Sequence, residues 1–195
     1  MVQIILASAS ERRKELMLRL IGKNFTVLPS GFDEDNTLDM EPEELAMHNS
    51  RGKARDVAKQ HRSAVVIGVD TLVFSHGKVL GKPVTPGKAK EMLKGISGKN
   101  ITVISGITVI HDGKEQTDYE LTKVKMKDMT EDEINAYVAS DEPLDKAGAF
   151  GAMDKGALMI ESVQGSFYNV VGLPIYKLNL MLKEIGIELM EIPNR

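Results

Sequence analysis

The chain has 195 residues, 42% of them hydrophobic and 27% charged, with a formal net charge of −3 and no cysteine. That composition provides for one domain with a sizeable core, built as one or two lobes, and excludes a disordered chain. The lack of thiols excludes disulfides, thiolate catalysis and cysteine-ligated zinc, and the slightly acidic balance argues against a nucleic-acid polymer or an anionic membrane as partner.

The opening stretch MVQIILASASERR has a short apolar run with basic residues after it, the reverse of a signal peptide. No apolar run approaches the roughly 18 residues of a membrane span, so a cytoplasmic protein is expected. Strand and helix patterns then alternate, as in an α/β domain. Val2 to Leu6 is predicted as a strand. A helix from about Glu11 to Ile21 follows, with Leu16/Leu20 and Met17/Ile21 four apart and Gly22 as its stop. Phe25 to Leu28 is a second short strand, and Gly31 to Met40 an acidic irregular loop. A helix is predicted from Pro42 to about Gln60, with Ala46, Met47, Ala54, Val57 and Ala58 on its apolar face.

VVIGVDTLVF, Val65 to Phe74, reads as a strand buried on both faces, followed by a hairpin around His76-Gly77. Thr85 caps a helix that begins at Pro86, with Ala89, Met92, Leu93 and Ile96 inward. Ile101 to Ile110 and Glu115 to Met126 flank HDGK, a second hairpin signal. Thr130 and Glu133 form a capping box for a helix burying Ile134, Tyr137 and Val138. A last helix starts near Pro174 and buries Ile175, Leu178, Leu182 and Ile185.

Asp70 stands out: a carboxylate in the middle of an apolar strand. Alternation puts Gly68, Asp70 and Leu72 on one face, and Gly68 leaves a gap beside the acid. A buried carboxylate must neutralise, pair with a cation or hold a metal. Its plain role is a structural ion pair; its sharper one is a catalytic or metal-binding acid near a strand end, where α/β crevices form. Lys53 falls at the edge of the second helix's apolar stripe, a place for a snorkelling lysine. Lys82 is held between Gly81 and Pro83, and Glu34 lies in the acidic loop.

A second candidate lies at the first helix, in LASASERRKEL. Ser10 is placed as N-cap, so Arg12 and Arg13 fall at the second and third helical positions, where the helix dipole disfavours cations by about 0.3–1 kcal/mol each. Free N–H groups, the hydroxyls of Ser8 and Ser10 and two guanidiniums compose a phosphate clamp; surface arginines paired with Glu11 or Glu15 are the plainer alternative. No Walker A, HExxH or GxSxG pattern occurs, and His48, His61, His76 and His111 are scattered.

Taken together and in order, LASASERRKELM, GVDTLV, GKP, DEPLDKAGAF and GSFYNVVGLP resemble the Maf family of nucleoside triphosphate pyrophosphatases over essentially the whole chain. The resemblance implies one Maf-like domain over residues 1–195, with a mixed central sheet flanked by helices. Two lobes with a cleft are implied too, similar to the inosine triphosphate pyrophosphatases. It further implies cleavage of a nucleoside triphosphate to the monophosphate and pyrophosphate, a divalent cation such as Mg²⁺ or Mn²⁺, and a homodimer. By the same resemblance Ser8, Ser10, Arg12 and Arg13 bind phosphate, with Thr71, Asp145 and Lys146 also on the substrate. Asp70 is the proton acceptor, aided by Lys53, Lys82 and Glu34, and Asp70 and Glu34 hold the metal. Arg12, Thr71 and position 153 set specificity; the uridine/thymidine-type members carry Gln there, and this chain has Met153. An amide reads a pyrimidine edge by paired hydrogen bonds, which a thioether cannot do. dTTP or UTP is the expected substrate; modified purine nucleotides such as 7-methyl-GTP, or a non-catalytic role in septum formation, are the alternatives.

Overall fold

Seven strands and six α-helices make up the computed structural model, which describes residues 2–193. The strands are β1 (Ile4–Ala7), β2 (Thr26–Val27), β3 (Val65–Ser75), β4 (Lys78–Leu80), β5 (Asn100–His111), β6 (Lys114–Met126) and β7 (Ile160–Gln164). They form one sheet in the order β2-β1-β3-β5-β6-β7, with β4 paired to β3. β1 runs parallel to β2 and β3, whereas the β3–β4 and β6–β7 pairs are antiparallel. The sheet is therefore mixed, as expected. The helices are α1 (Glu11–Ile21), α2 (Pro42–Ala58), α3 (Pro86–Ile96), α4 (Glu131–Val138), α5 (Phe167–Val171) and α6 (Ile175–Glu184).

Local chemistry accounts for most boundaries. Gly22 ends α1 at a φ of 58°, a conformation that a side chain disfavours. Thr85 accepts a hydrogen bond from the Lys88 N–H ahead of Pro86, and Thr130 with Glu133 closes a complete capping box. Both hairpins turn on two residues of positive φ, His76-Gly77 and Asp112-Gly113, the primed geometry that matches strand twist. The sequence reading missed β7 and α5, each only five residues long. In α6 the buried residues are Leu178, Met181 and Leu182; Ile175 and Ile185, expected inside, are partly exposed.

The chain divides into two compact units. The first holds the described residues up to Asp70, Ser105–Glu120, and the described residues from Gly172 on. Its core includes Ile5, Ala7, Ala54, Val57, Ala64 and Val66, where α2 lies on β1 and β3. The second holds Thr71–Ile104 and Leu121–Val171, around Leu93, Ile96, Ile101, Val124, Tyr137 and Phe150. Among the described residues no helix is long and apolar enough to cross a membrane.

Gly68 has a different role from the one its sequence context implies. The space beside it is filled by the backbone of α2: a Cβ at Gly68 would collide with the Ser50 carbonyl oxygen and lie 2.8 Å from the Ala54 nitrogen. Gly106 on β5 seats the same helix at the Ala46 carbonyl. These close approaches bring polar side chains of α2 onto the face of β3 that carries Asp70.

Candidate active site

Asp70 is 4% exposed and ends the first unit's share of β3. Its Oδ1 accepts from the Lys53 ammonium at 2.7 Å and its Oδ2 from the Asn49 amide at 3.0 Å. Lys53 Nζ also donates to the Val69 carbonyl at 3.4 Å and pairs with Glu34 Oε1 at 2.6 Å. An ammonium has three N–H donors, and here each has an acceptor.

Lys53 is 8% exposed, so the snorkelling position expected at the stripe's edge is corrected. The buried positions of α2 are Leu45, Ala46, Asn49, Ser50, Lys53, Ala54 and Val57. Leu45, Asn49, Lys53 and Val57 are four apart and share one face. Burial of the lysine is possible because two carboxylates and a carbonyl meet it there.

Glu34 reaches Lys53 from an irregular loop tied down along its length. Phe32 packs over Gly52 and lies edge-on to His48 at a centroid distance of 6.0 Å. The Gly31 N–H donates to Asp56 at 2.8 Å, and Asn36 Oδ1 accepts from Asn49 at 3.1 Å. Asp35 accepts from the backbone and hydroxyl of Thr37, which holds its carboxyl below the usual range.

The β1–α1 turn supplies the cationic wall. Ala7 pairs with Gly68 in the parallel ladder, so Ser8 and Asp70 both lie just past that pairing, toward the C-terminal ends of neighbouring strands. Such ends are where α/β folds bind ligands. Arg13 is buried; its Nε donates to the Gly172 carbonyl at 2.8 Å and its Nη1 to Ser8 Oγ at 3.0 Å. Burial draws the guanidinium below the ordinary arginine range; the charges of Asp70 and Glu34 oppose that fall, and Arg12 adds to it. Ser10 occupies the N-cap position as expected, yet its side chain makes no capping bond. Its own N–H donates to Ser8 Oγ at 3.3 Å. Glu11 pairs with Lys14, while Arg13 turns inward.

The first unit thus gathers Ser8, Ser10, Arg12, Arg13, Glu34, Lys53 and Asp70. Sequence reasoning missed Asn49, whose position four before Lys53 and four after Leu45 was the available signal. The other expected residues belong to the second unit. Thr71 follows Asp70 on β3 and is partly buried. Lys82 is exposed and has no ion pair among the described residues; nearby Val84 has a φ of 63°, strained for a β-branched residue. Lys146 is 7% exposed, donating to the Glu142 carbonyl at 2.6 Å and to Asp145 at 2.7 Å. Met153 is exposed.

Among the described residues no three or more histidines or acids form a metal cluster. The pair Asp70 and Glu34, meeting at one ammonium, is a hard-oxygen set. Magnesium sites commonly use one or two carboxylates, with substrate phosphates and water completing the shell. The residues present fit such an ion.

Residues 3–185 match the family described as Maf-like protein. The dTTP/UTP pyrophosphatase of Methanosarcina mazei is 49% identical over 98% of this chain and 98% of its own length. That of Caldicellulosiruptor saccharolyticus is 43% identical over 98% of each chain. Among solved structures, a HAM1 protein from Coxiella burnetii is 16% identical, with a TM-score of 0.49 over 94% of this chain and 100% of that one.

Proposed function

The chain belongs to the Maf family, and from that premise we propose that it is a nucleoside triphosphate pyrophosphatase acting on dTTP and UTP. The observation that carries the reading is Asp70, a buried carboxylate with a donor on each oxygen, one strand away from the serine-arginine turn. A structural ion pair needs no helix N-terminus left without a side-chain cap beside it.

The phosphates bind at that turn, held by the N–H groups of α1, the hydroxyls of Ser8 and Ser10, and the guanidiniums of Arg12 and Arg13. Lys53 adds cationic charge in the same unit. Asp70 takes a proton from the attacking water, whose oxygen joins the α-phosphorus as the bond to the bridging oxygen of the β-phosphate breaks. Pyrophosphate leaves with that oxygen, and the monophosphate remains. Asp70 and Glu34 would hold Mg²⁺ or Mn²⁺, which, when bound, supplies positive charge to the phosphates. The family resemblance assigns the choice of base to Arg12, Thr71 and Met153. The curated relatives named dTTP/UTP pyrophosphatase support the pyrimidine reading despite Met153.

The test is pyrophosphate release from a panel of dTTP, UTP, the other common nucleotides and 7-methyl-GTP, with Mg²⁺ and with Mn²⁺. dTTP and UTP should lead the panel, and Asp70→Asn should fold and turn over none of them. A purine preference overturns the substrate assignment. Full activity in Asp70→Asn overturns the mechanism.

A further inference from the structure

We propose that Asn49 is a positioning residue for Asp70, its amide fixing the plane of the carboxylate for proton transfer. The inference rests on the pyrophosphatase reading and assigns this residue a part in it.

Asn49 is fully buried on the stripe of α2 that also carries Leu45, Lys53 and Val57. Its Nδ2 donates to Asp70 Oδ2 at 3.0 Å and to Asn36 Oδ1 at 3.1 Å. Its Oδ1 is buried with no hydrogen-bond partner. A buried carbonyl without a donor is unfavourable, and a leucine would fill the same stripe without leaving one. The amide is nonetheless held in this orientation, because the flipped one would set its oxygen against the carboxylate of Asp70 and the carbonyl of Asn36. Polarity at position 49 therefore answers to the donor it supplies rather than to packing.

What that donor does follows from the geometry. Lys53 holds Oδ1 alone, and a carboxylate fixed at one oxygen still turns about its Cβ–Cγ bond. A second donor on Oδ2 removes that freedom. The same amide reaches Asn36, two residues along the loop from Glu34, so one side chain joins the Glu34 loop to the proton acceptor. Partners that orient a reacting group typically change activity 10–100-fold when removed.

The test is Asn49→Leu in the full chain, close in size and without polar atoms. The expected result is a fall in kcat of about tenfold or more, with KM within about threefold and a melting temperature no lower than the parent's. A residue that served packing alone would show the opposite split, a stability change with kcat kept. Asn49→Ala, smaller and a strong helix former, should show the same fall in kcat should the leucine variant not fold. A kcat within twofold of the parent in either folded variant overturns the proposal. So does a loss that falls on KM with kcat kept. The parent and Asp70→Asn are assayed alongside. A parent that releases no pyrophosphate removes the functional reading and this inference with it. An active parent, a dead Asp70→Asn and a full-speed Asn49→Leu remove only the role of Asn49.

Discussion

Lys53→Met takes the ammonium from between two acids while keeping most of the stem. Asp70, 4% exposed, then keeps its hydrogen bond from Asn49 and loses its buried cation. Breaking a buried ion pair by deleting one partner costs about 3–5 kcal/mol, because the other charge stays uncompensated. Glu34 contributes little to that figure: its side chain is 41% exposed, and pairs in that setting are worth about 0–1 kcal/mol. Total stabilities of about 5–15 kcal/mol make the loss easy to measure. Asp70→Asn in the same chain removes the stranded charge, so the double variant should recover all but about 1 kcal/mol, the worth of a hydrogen bond. Urea unfolding at neutral pH, extrapolated linearly for the parent, both single variants and the double, gives the coupling directly. It should exceed about 2 kcal/mol. Turnover separates structure from chemistry, since the double variant regains stability and still releases no pyrophosphate. A loss below about 1 kcal/mol in Lys53→Met, or additivity within about 0.5 kcal/mol, refutes the reasoning.

Gly68→Ala forces a methyl group into the Ser50 carbonyl and Ala54, where no rotamer relieves the clash. It should destabilise by about 1–3 kcal/mol in urea and lower kcat by shifting Asn49 and Lys53 from Asp70; parent-like stability would contradict the close seating of α2. Arg13→Lys cannot reach the Gly172 carbonyl and Ser8 in the forked geometry of the guanidinium. KM for dTTP should rise about tenfold or more, equivalent to about 1.4 kcal/mol, and an unchanged KM would remove Arg13 from the phosphate site. Glu133 is held below the ordinary carboxylate range, first by Lys127 and then by the Thr130 N–H. Because the folded form binds the proton less readily, its contribution is present above the unfolded pKa and fades as pH falls through the folded one. Melting temperatures from pH 7 to pH 3 should therefore fall less steeply in Glu133→Gln than in the parent, and equal slopes would show that the pair adds nothing.

What the sequence made legible, and what it did not, divides by the reach of the interaction. The turns at His76-Gly77 and Asp112-Gly113, the Gly22 stop and the Thr130–Glu133 box are closed by neighbours in the chain, and each is found in place. Asp70 was visible because a charge interrupts a run of apolar residues. Its partners were not, since Lys53 is 17 residues away and Asn49 is 21. Within α2 alone, polarity argues for the surface, and so the apolar face was read along Ala46, Met47, Ala54, Val57 and Ala58. Ala46, Ala54 and Val57 are indeed buried, but Asn49, Ser50 and Lys53 are buried with them, and each of these finds a buried partner beyond its own helix. Gly68 was misread for the same reason: a missing side chain in a strand looks like a gap until a helix is known to lie against it. An amide and an ammonium one turn apart on an apolar stripe, opposite a strand with a glycine two residues before an acid, form a pattern only when both segments are considered together. Either half alone would strand buried polar groups without partners, so the fold admits the two halves together or not at all.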